Sequence, residues 1–427
     1  MAVILIISFL IFVALRIPIA FSLLSSSVLT IILEGIPITV VIQKLFEGLE
    51  SFPLLAVPFF YLVGNLCNNG GITKKLLRFS YSLVGHFKGA LAQVNVVVSM
   101  FFAGLSGSST ADTAGIGNIL IPAMIKEGYD PEFSVGVTAI SSTMGVIIPP
   151  SVLMVVYGAM GNVSIGLMFL GGIIPGVLIA VGQMFVCWVY AKKYNYPVYK
   201  KSSIKEISLS FLDAIPPLCI PVIIIGGIIF GIFTATESAA VAAVYSLFLI
   251  GVFYRNSTPR EIIKIFQETG IFMAIPLFCT ASAVLFGFLL AYYNIPQYVA
   301  GIGASFSSSA KSVLFFVVGL YLIVGMLMDS IPAIIIFLPI IQKLGDTVGI
   351  HPVQLGVVVI LTLALGLVTP PYGICLLMAS KIAGIRANSA FKPTFIFGTV
   401  SIAVIILSIL FPEIILFIPR LILPKYM

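Results

Sequence analysis

The chain has 427 residues, of which 60% are hydrophobic and only 9% are charged. Soluble domains carry about 25% charged residues, so this composition excludes a soluble globular protein and predicts an all-α polytopic membrane protein. The net charge of +7 does not indicate a nucleic-acid partner, because Lys and Arg gather at the edges of membrane spans. The five cysteines lie in apolar runs without metal-type spacing, which predicts buried free thiols.

The first 88 residues alternate apolar spans with amphipathic stretches. Residues 2–15 lack a basic leader region and an obvious cleavage site, which favours a retained span over a signal peptide. Residues 36–50 are amphipathic and are predicted to lie at the membrane interface. Residues 72–88 carry four basic residues, too many for a span, and predict a surface-lying arm helix. The other predicted spans of this region are 17–34 and 52–68.

Residues 89–125 predict a re-entrant hairpin. Two limbs of about 15 residues flank the Gly/Ser-rich tip Ser106–Thr110, whereas about 20 residues are needed to cross a bilayer. Irregular backbone at membrane depth is tolerated only where protein or water surrounds it, so this tip is expected to line a cavity. The following span, 132–161, is predicted to break at Ile148–Ser151, because Pro149-Pro150 cannot continue a helix.

The second half of the chain follows the polar linker 192–205 and repeats this plan. A predicted hairpin at 312–344, with its tip at Gly325–Ser330, precedes a span at 353–385 that is broken at Thr369–Tyr372. The remaining predictions are spans at 166–190, 211–232, 235–254, 270–292 and 393–420, a basic loop with Arg255, Arg260 and Lys264, and a second arm at 295–311.

Gly and Pro landmarks of the first half return 221 positions later in the second half. The pairs are Gly104 and Gly325, Gly128 and Gly349, Pro131 and Pro352, Gly145 and Gly366, and Pro149-Pro150 and Pro370-Pro371. Other positions slip, which indicates a diverged duplication with small insertions or deletions. If the linker side is the cytoplasm, most Lys and Arg residues thread onto that side, and the two repeats are inverted. Inverted repeats with broken helices in corresponding positions are typical of secondary transporters.

The two breaks offer oxygen atoms for a small hard cation. An unwound helix exposes carbonyls without an intrahelical partner, and proline frees a further carbonyl one turn earlier. Carbonyls combined with hydroxyls suit sodium, Na⁺. The predicted first sodium site comprises Ser106, Ser109, Gly145, Ile148 and Pro150, and the predicted second site comprises Gly325, Gly366, Thr369 and Tyr372. The alternative is that each proline pair only kinks its helix.

Helix N-termini at the tips and breaks carry partial positive charge and can hold a substrate carboxylate. The predicted substrate-binding residues are Ser108, Thr110, Asp112, Ser151, Asp329 and Ser330. Helix capping is the alternative role for the two acids in this set. The sequence has no nucleotide-binding loop, zinc motif or catalytic-triad pattern, which argues against an ATP-driven pump and against an enzyme.

Three stretches of the sequence resemble one known family. Gly104–Ser151, Gly325–Asp329 (GMLMD) and Gly366–Gly373 (GLVTPPYG) are similar to signature regions of the large membrane subunit of TRAP transporters, the tripartite ATP-independent periplasmic type. The similarity covers essentially the whole chain. It implies sodium-driven import of an organic acid through the lipid bilayer of the bacterial inner membrane, with the sodium sites on the residues named above. It also implies two partners, a small membrane subunit of four helices and a periplasmic substrate-binding protein.

The substrate is less well defined by the resemblance, because the binding protein largely selects it in this family. Family members carry C4-dicarboxylates, sialic acid, other sugar acids or amino acids, and the resemblance leans towards the sialic-acid type. The first motif-bearing hairpin begins near residue 89, so the small subunit is expected to be a separate chain. A stand-alone sodium-coupled carboxylate transporter and an ion channel with re-entrant loops are the alternatives.

The family's fold resembles that of elevator transporters, in which hairpins and broken helices move as a block against a fixed scaffold. The resemblance implies four regions along the chain. They are scaffold spans and the first arm (1–88), the first transport-domain repeat (89–191), the linker with central scaffold spans and the second arm (192–311), and the second transport-domain repeat with the last span (312–427).

Overall fold

The computed structural model describes residues 1–298, 301 and 309–424, and every regular element within these ranges is a helix. The α-helices before the linker are α1 (Ala2–Ala14), α2 (Ile19–Glu34), α3 (Thr39–Leu49), α4 (Ala56–Asn69), α5 (Ile72–Val84), α6 (Ala90–Ser106), α7 (Ser109–Lys126), α8 (Pro131–Ser142), α9 (Val152–Gly161) and α10 (Ile165–Tyr194). Those after it are α11 (Ile204–Ile229), α12 (Ala235–Phe248), α13 (Pro259–Tyr292), α14 (Ala310–Gly325), α15 (Ser330–Thr347), α16 (Pro352–Gly366), α17 (Ile374–Ala383), α18 (Ala387–Leu410) and α19 (Glu413–Ile422).

Six of the described helices are long and apolar enough to cross a membrane. The helix pair Thr39–Leu49 and Phe52–Asn69, bent by 59°, passes the same test when its two parts are taken together. The amphipathic stretch 36–50, predicted to lie at the interface, is thus one limb of a bent helix pair.

Both predicted hairpins are present as helical hairpins. The first joins α6 to α7 through Gly107, which ends α6 in the left-handed conformation with φ of 62°, and Ser108, whose side chain caps α7. The second joins α14 to α15 through residues 326–329, and Asp329 caps α15 by accepting the Ser330 N–H at 2.6 Å.

Both predicted broken helices are also present. The first consists of α8 and α9, separated by a 3₁₀ turn at Thr143–Val146 and the proline pair. The second consists of α16 and α17, and in both breaks the Pro–Pro peptide bond is cis. Helix α15 starts 221 residues after α7, and α16 starts 221 residues after α8, which is the offset between the Gly and Pro landmarks.

Three boundary predictions were wrong for physical reasons. Arg260 and Lys264 lie in the first turns of α13 rather than in a loop, because Thr258 and Glu261 form a capping box that starts this helix at Pro259. A similar capping box starts α11 at Ile204, seven residues before the predicted span. The predicted span 393–420 consists of two helices, α18 and α19, with Pro412 at the junction. The second arm, 295–311, lies largely outside the described residues.

The hairpins pack against the broken helices. Helix α7 contacts α8 and α17, α14 contacts α16, and α8 contacts α18, so elements of both repeats form one packed body. Helices α4 and α13 lie beside this body and contact each other. The tips of the two hairpins therefore face a space bounded by α4 and α13 on one side and by the broken helices on the other.

Candidate substrate and ion site

A cavity of about 110 Å³ lies between the two hairpin tips. The first tip contributes residues 107–110 and the second contributes residues 329–331. Four of the six predicted substrate-binding residues therefore meet at one cavity, namely Ser108, Thr110, Asp329 and Ser330. Ser109, predicted as a sodium ligand, also lines it.

The two ends of this cavity differ in polarity. At the first tip the hydroxyls of Ser108 and Thr110 lie 3.1 Å apart at the positive N-terminus of α7. At the second tip the Asp329 carboxylate accepts one hydrogen bond, from Ser330 N–H, and its other oxygen accepts none from the described residues. No Lys or Arg is present in the described lining of the cavity. The cavity thus has a hydroxyl end and a carboxylate end, without a fixed positive side chain.

Each hairpin tip is joined to its own broken helix by a backbone hydrogen bond. In the first repeat Val152 N–H donates to the carbonyl of Gly107 at 3.2 Å. In the second repeat Tyr372 N–H donates to the carbonyl of Met326 at 3.0 Å. Both donors follow the proline pair, so the two joints are similar in kind as well as in position.

Three of the residues predicted for the first sodium site, Ser106, Ser109 and Gly145, gather around the start of α7. Ser106 donates its hydroxyl to Asp112 Oδ1, while Asp112 Oδ2 and Ser109 Oγ are buried without a hydrogen-bond partner among the described residues. Gly145 packs so closely here that a Cβ would overlap Asp112 Oδ2. An unpartnered buried carboxylate oxygen is costly, so this cluster has the chemistry of a cation site.

Ile148 and Pro150, the other two residues predicted for this site, belong to the first break. The carbonyl oxygen of Pro150 lies 3.0 Å from the position that a Cβ on Gly107 would take. The side chain of Ile148 packs against Gly176 of α10, which leaves only its main-chain oxygen for an ion. Both residues were predicted as ligands through their backbone.

The second predicted sodium site is built mainly from backbone. A Cβ on Gly366 would lie 2.8 Å from the Cα and carbonyl atoms of Gly325, so the backbones of the second break and the second hairpin are in direct contact. Thr369 donates its hydroxyl to the carbonyl of Leu365 at 2.7 Å, and its own carbonyl accepts Gly373 N–H at 3.1 Å. Unlike Gly145 in the first group, Gly366 faces backbone and not a carboxylate.

Two predicted substrate-binding residues have other places in the structure. Ser151 caps α9, donating to the carbonyl of Val146 at 2.6 Å and accepting Met154 N–H at 3.3 Å. It does not line the cavity, and neither does Asp112, which faces Gly145. Asp329, 221 positions after Ser108, corresponds to that residue and not to Asp112.

The wall of the cavity opposite the broken helices was not predicted from the sequence. Tyr61 of α4 and Phe272 of α13 stack there with ring centroids 4.3 Å apart and an interplanar angle of 3°. Pro276, inside α13, also lines the cavity. A proline within a long apolar helix was the only signal available, because the two aromatic residues resemble any others in a membrane span.

Comparison with known proteins identifies the family of the chain. Residues 6–414 match the family described as the DctM component of the tripartite ATP-independent periplasmic transporter. The sialic acid TRAP transporter large permease protein SiaM of Vibrio cholerae serotype O1 is 36% identical over 95% of each protein. The C4-dicarboxylate TRAP transporter large permease protein DctM of Pseudomonas aeruginosa is 36% identical over 88% of each protein.

The fold is shared with a more distant protein of solved structure. The Alcanivorax borkumensis YdaH transporter matches with a TM-score of 0.61 over 87% of each chain, at 14% identity. At this low identity the similarity shows the fold only, and it confirms the predicted all-α, multi-pass architecture. The chain is a multi-pass inner-membrane protein that belongs to the DctM family, the large permeases of TRAP transporters.

Proposed function

We propose that this chain is the permease of a sodium-coupled importer of an organic acid, and that sialic acid (N-acetylneuraminate) is the favoured substrate. The observation that carries the proposal is the cavity between the hairpin tips, which has hydroxyls and a carboxylate but no Lys or Arg in its described lining. A buried substrate carboxylate needs its charge offset, and no fixed side chain does so here. Sodium ions at the adjacent breaks meet this need.

The first break offers the stronger support for sodium. Asp112 Oδ2 and Ser109 Oγ are both buried there without a partner among the described residues. A cation held by these oxygens offsets the desolvation cost of the carboxylate. If sodium also fixes the tip on its broken helix, substrate binds well only when sodium is bound, which is a coupling of binding free energies.

The two ends of the cavity support a substrate class. A carboxylate fits the α7 end, with its hydroxyls and helix N-terminus. The Asp329 end repels a second carboxylate and accepts hydrogen bonds from hydroxyl or amide groups. Related permeases are named for sialic acid and for C4-dicarboxylates, so sequence similarity alone does not identify the substrate. The asymmetry favours a hydroxylated monocarboxylate such as sialic acid over a C4-dicarboxylate.

Movement is proposed to follow the elevator mechanism. The joints between Val152 and Gly107 and between Tyr372 and Met326 tie each tip to its broken helix. Hairpins and broken helices of regions 89–191 and 312–427 then slide as one block against helices of regions 1–88 and 192–311. As a tripartite transporter the permease works with two further components, and we propose a separate four-helix membrane subunit and a periplasmic binding protein that delivers the acid.

Uptake by proteoliposomes tests the proposal. The chain is reconstituted with its small membrane subunit, and labelled sialic acid is added outside with or without the binding protein and an inward sodium gradient. Uptake is expected only when both are present. Choline in place of sodium provides the ionic-strength control.

Each other outcome contradicts a defined part of the proposal. Uptake without the binding protein indicates a stand-alone transporter. Uptake of a C4-dicarboxylate alone, with a matched binding protein, changes the cargo and contradicts the role given to Asp329. Uptake that is unaffected by replacing sodium with choline contradicts sodium coupling.

A further inference from the structure

A second, larger pocket is separate from the cavity between the hairpin tips. Its volume is about 630 Å³, and it opens between α5, the loop after α10 and the start of α11. Helix α5 contributes Arg78 and Tyr81, the loop contributes residues 199–202, and α11 contributes Glu206 and Ser210. None of these residues belongs to the transport cavity.

The pocket is basic. Its lining includes Arg78, Lys200 and Lys201 against one acid, Glu206. Within the described parts of the chain neither lysine has an ion-pair partner, while Arg78 uses Nη1 to pair with Asp213 at 3.0 Å. Glu206 directs one carboxylate oxygen to the backbone N–H of Ser203, at 2.8 Å, as part of the cap of α11. Positive charge therefore remains available to an anion that enters the pocket.

The pocket adjoins a surface suited to hydrocarbon chains. Helix α11 is the least buried of the six candidate spans, with 28% of its apolar window buried. Leu209 and Leu212, within one turn of Ser210, are 48% and 60% exposed. Tyr81 and Tyr199 contact each other beside the pocket with ring centroids 5.1 Å apart, and tyrosines of this kind favour the membrane–water interface.

We propose that this pocket binds the headgroup phosphate of an anionic phospholipid, whose acyl chains lie along the exposed face of α11. Basic pockets next to membrane helices attract such headgroups, because phosphate carries the complementary charge, and the hydroxyl of Ser202 in the lining can donate to its oxygens. A free phosphate would use the same basic groups but not the apolar face. The continuity of the two surfaces therefore favours the lipid.

Lipid retention by the purified full chain tests this site. The protein in detergent is incubated with vesicles of equimolar phosphatidylglycerol and phosphatidylcholine, and the lipids that remain bound are counted by native mass spectrometry. Wild type is expected to retain phosphatidylglycerol selectively. Lys200→Gln combined with Lys201→Gln is expected to lower retention about thirtyfold, because each lysine contributes about 1 kcal/mol to the attraction of an anionic lipid. Lys200→Arg combined with Lys201→Arg keeps the charge and should retain the lipid.

A matched control removes two other lysines at the same end of the molecule. Lys192 and Lys193 lie over the rings of Trp188 and Tyr194 at the end of α10, outside the pocket, so changing both to Gln should leave retention unchanged. Equal retention by wild type and the Lys200→Gln, Lys201→Gln variant overturns the proposal. Binding of inorganic phosphate by a protein that retains no lipid also overturns it, in favour of a site for soluble anions.

Discussion

The two hairpin tips occupy corresponding places in the repeats but differ in chemistry. The first is short, is capped by Ser108 and encloses the buried Asp112 in the first turn of α7. The second is longer, is capped by Asp329 and exposes Leu327, which is 60% accessible. The first tip thus combines hydroxyls with an internal carboxylate, whereas the second presents its carboxylate to the cavity.

The closest contacts between tip and break differ in the same way. In the first repeat Gly145 faces the side chain of Asp112, and in the second Gly366 faces the backbone of Gly325. The backbone joints at Val152 and Tyr372 are nevertheless alike. The docking of tip on break is therefore alike in the two halves, while the polar groups at the two tips differ. The proposed function assigns the ion and the acid group to the first end and the remainder of the substrate to the second.

The largest expected effect comes from Gly366→Ala. The new Cβ would meet backbone atoms of Gly325 at 2.8 Å, and backbone cannot move aside as a side chain can. Overpacking costs about 1–3 kcal/mol, which lowers the equilibrium constant for docking of the second tip about 5- to 150-fold, and uptake should fall. Sodium-driven uptake in proteoliposomes measures this.

Gly319→Ala on α14 is the matched control, because its Cβ has no atom within 4 Å. It should leave uptake unchanged. Gly145→Ala should be milder than Gly366→Ala, since its Cβ mainly meets the Asp112 side chain. Normal uptake by Gly366→Ala would refute the close docking in the second repeat.

The next effect is expected from Asp112→Asn. The amide keeps the size of the side chain and can still accept from Ser106, but it removes the negative charge from the cluster. Interactions with a charged group contribute about 1.5–3 kcal/mol, so the sodium concentration for half-maximal uptake should rise about tenfold or more. Asp346→Asn, an exposed change at the end of α15, is the control. Unchanged sodium dependence would show that Asp112 serves only the structure of the tip.

Asp329→Asn tests the other end of the cavity. Removing its charge removes the repulsion of a second carboxylate. If that repulsion contributes roughly 1 kcal/mol to the difference in binding free energy, the affinity ratio of sialic acid to a C4-dicarboxylate should fall about fivefold or more. Competition between the two acids for binding to the permease measures this ratio without the binding protein. The Asp346→Asn variant should keep the wild-type ratio, and an equal ratio for Asp329→Asn would remove Asp329 from the selecting end.

The smallest effect is expected from Thr369→Ala at the second break. Losing one neutral hydroxyl costs about 0.5–1.5 kcal/mol, so the sodium requirement should rise about threefold to tenfold. Thr362→Ala is closely matched, because Thr362 makes the same hydroxyl bond to a carbonyl four residues earlier, at Val358, deeper in α16. If both variants have the same sodium requirement, the hydroxyl of Thr369 is not an ion ligand.

The sequence predicted the hairpins and breaks well because glycine and proline act through backbone geometry. Gly107 permits a left-handed turn and Pro149-Pro150 restricts the backbone, and both effects are local, so no distant contact is needed to predict them. The 221-residue offset also predicts that Asp329 corresponds to Ser108, although Asp112 and Asp329 were predicted to have the same role. Helix starts at Ile204 and Pro259 were missed because polar capped turns extend beyond the apolar segment.

The cavity wall and the ion cluster could not be predicted to the same degree. Tyr61 and Phe272 are about 210 residues apart in sequence, and only the packing of α4 on α13 brings their rings together. The rotation of α7 about its axis decides whether the Asp112 side chain points into the cavity or towards Gly145. The apolar pattern of α7 does not predict this rotation, because most of the helix is buried.

Equilibrium binding at graded sodium tests the central claim most directly. The purified chain with its small subunit is titrated with labelled sialic acid in sodium or in choline at constant ionic strength. Coupling of about 1–3 kcal/mol predicts that saturating sodium lowers the Kd for the acid about 5- to 150-fold, and that the acid lowers the Kd for sodium by the same factor. The same Kd in choline and in sodium would contradict an acid site whose charge is offset by sodium at the breaks.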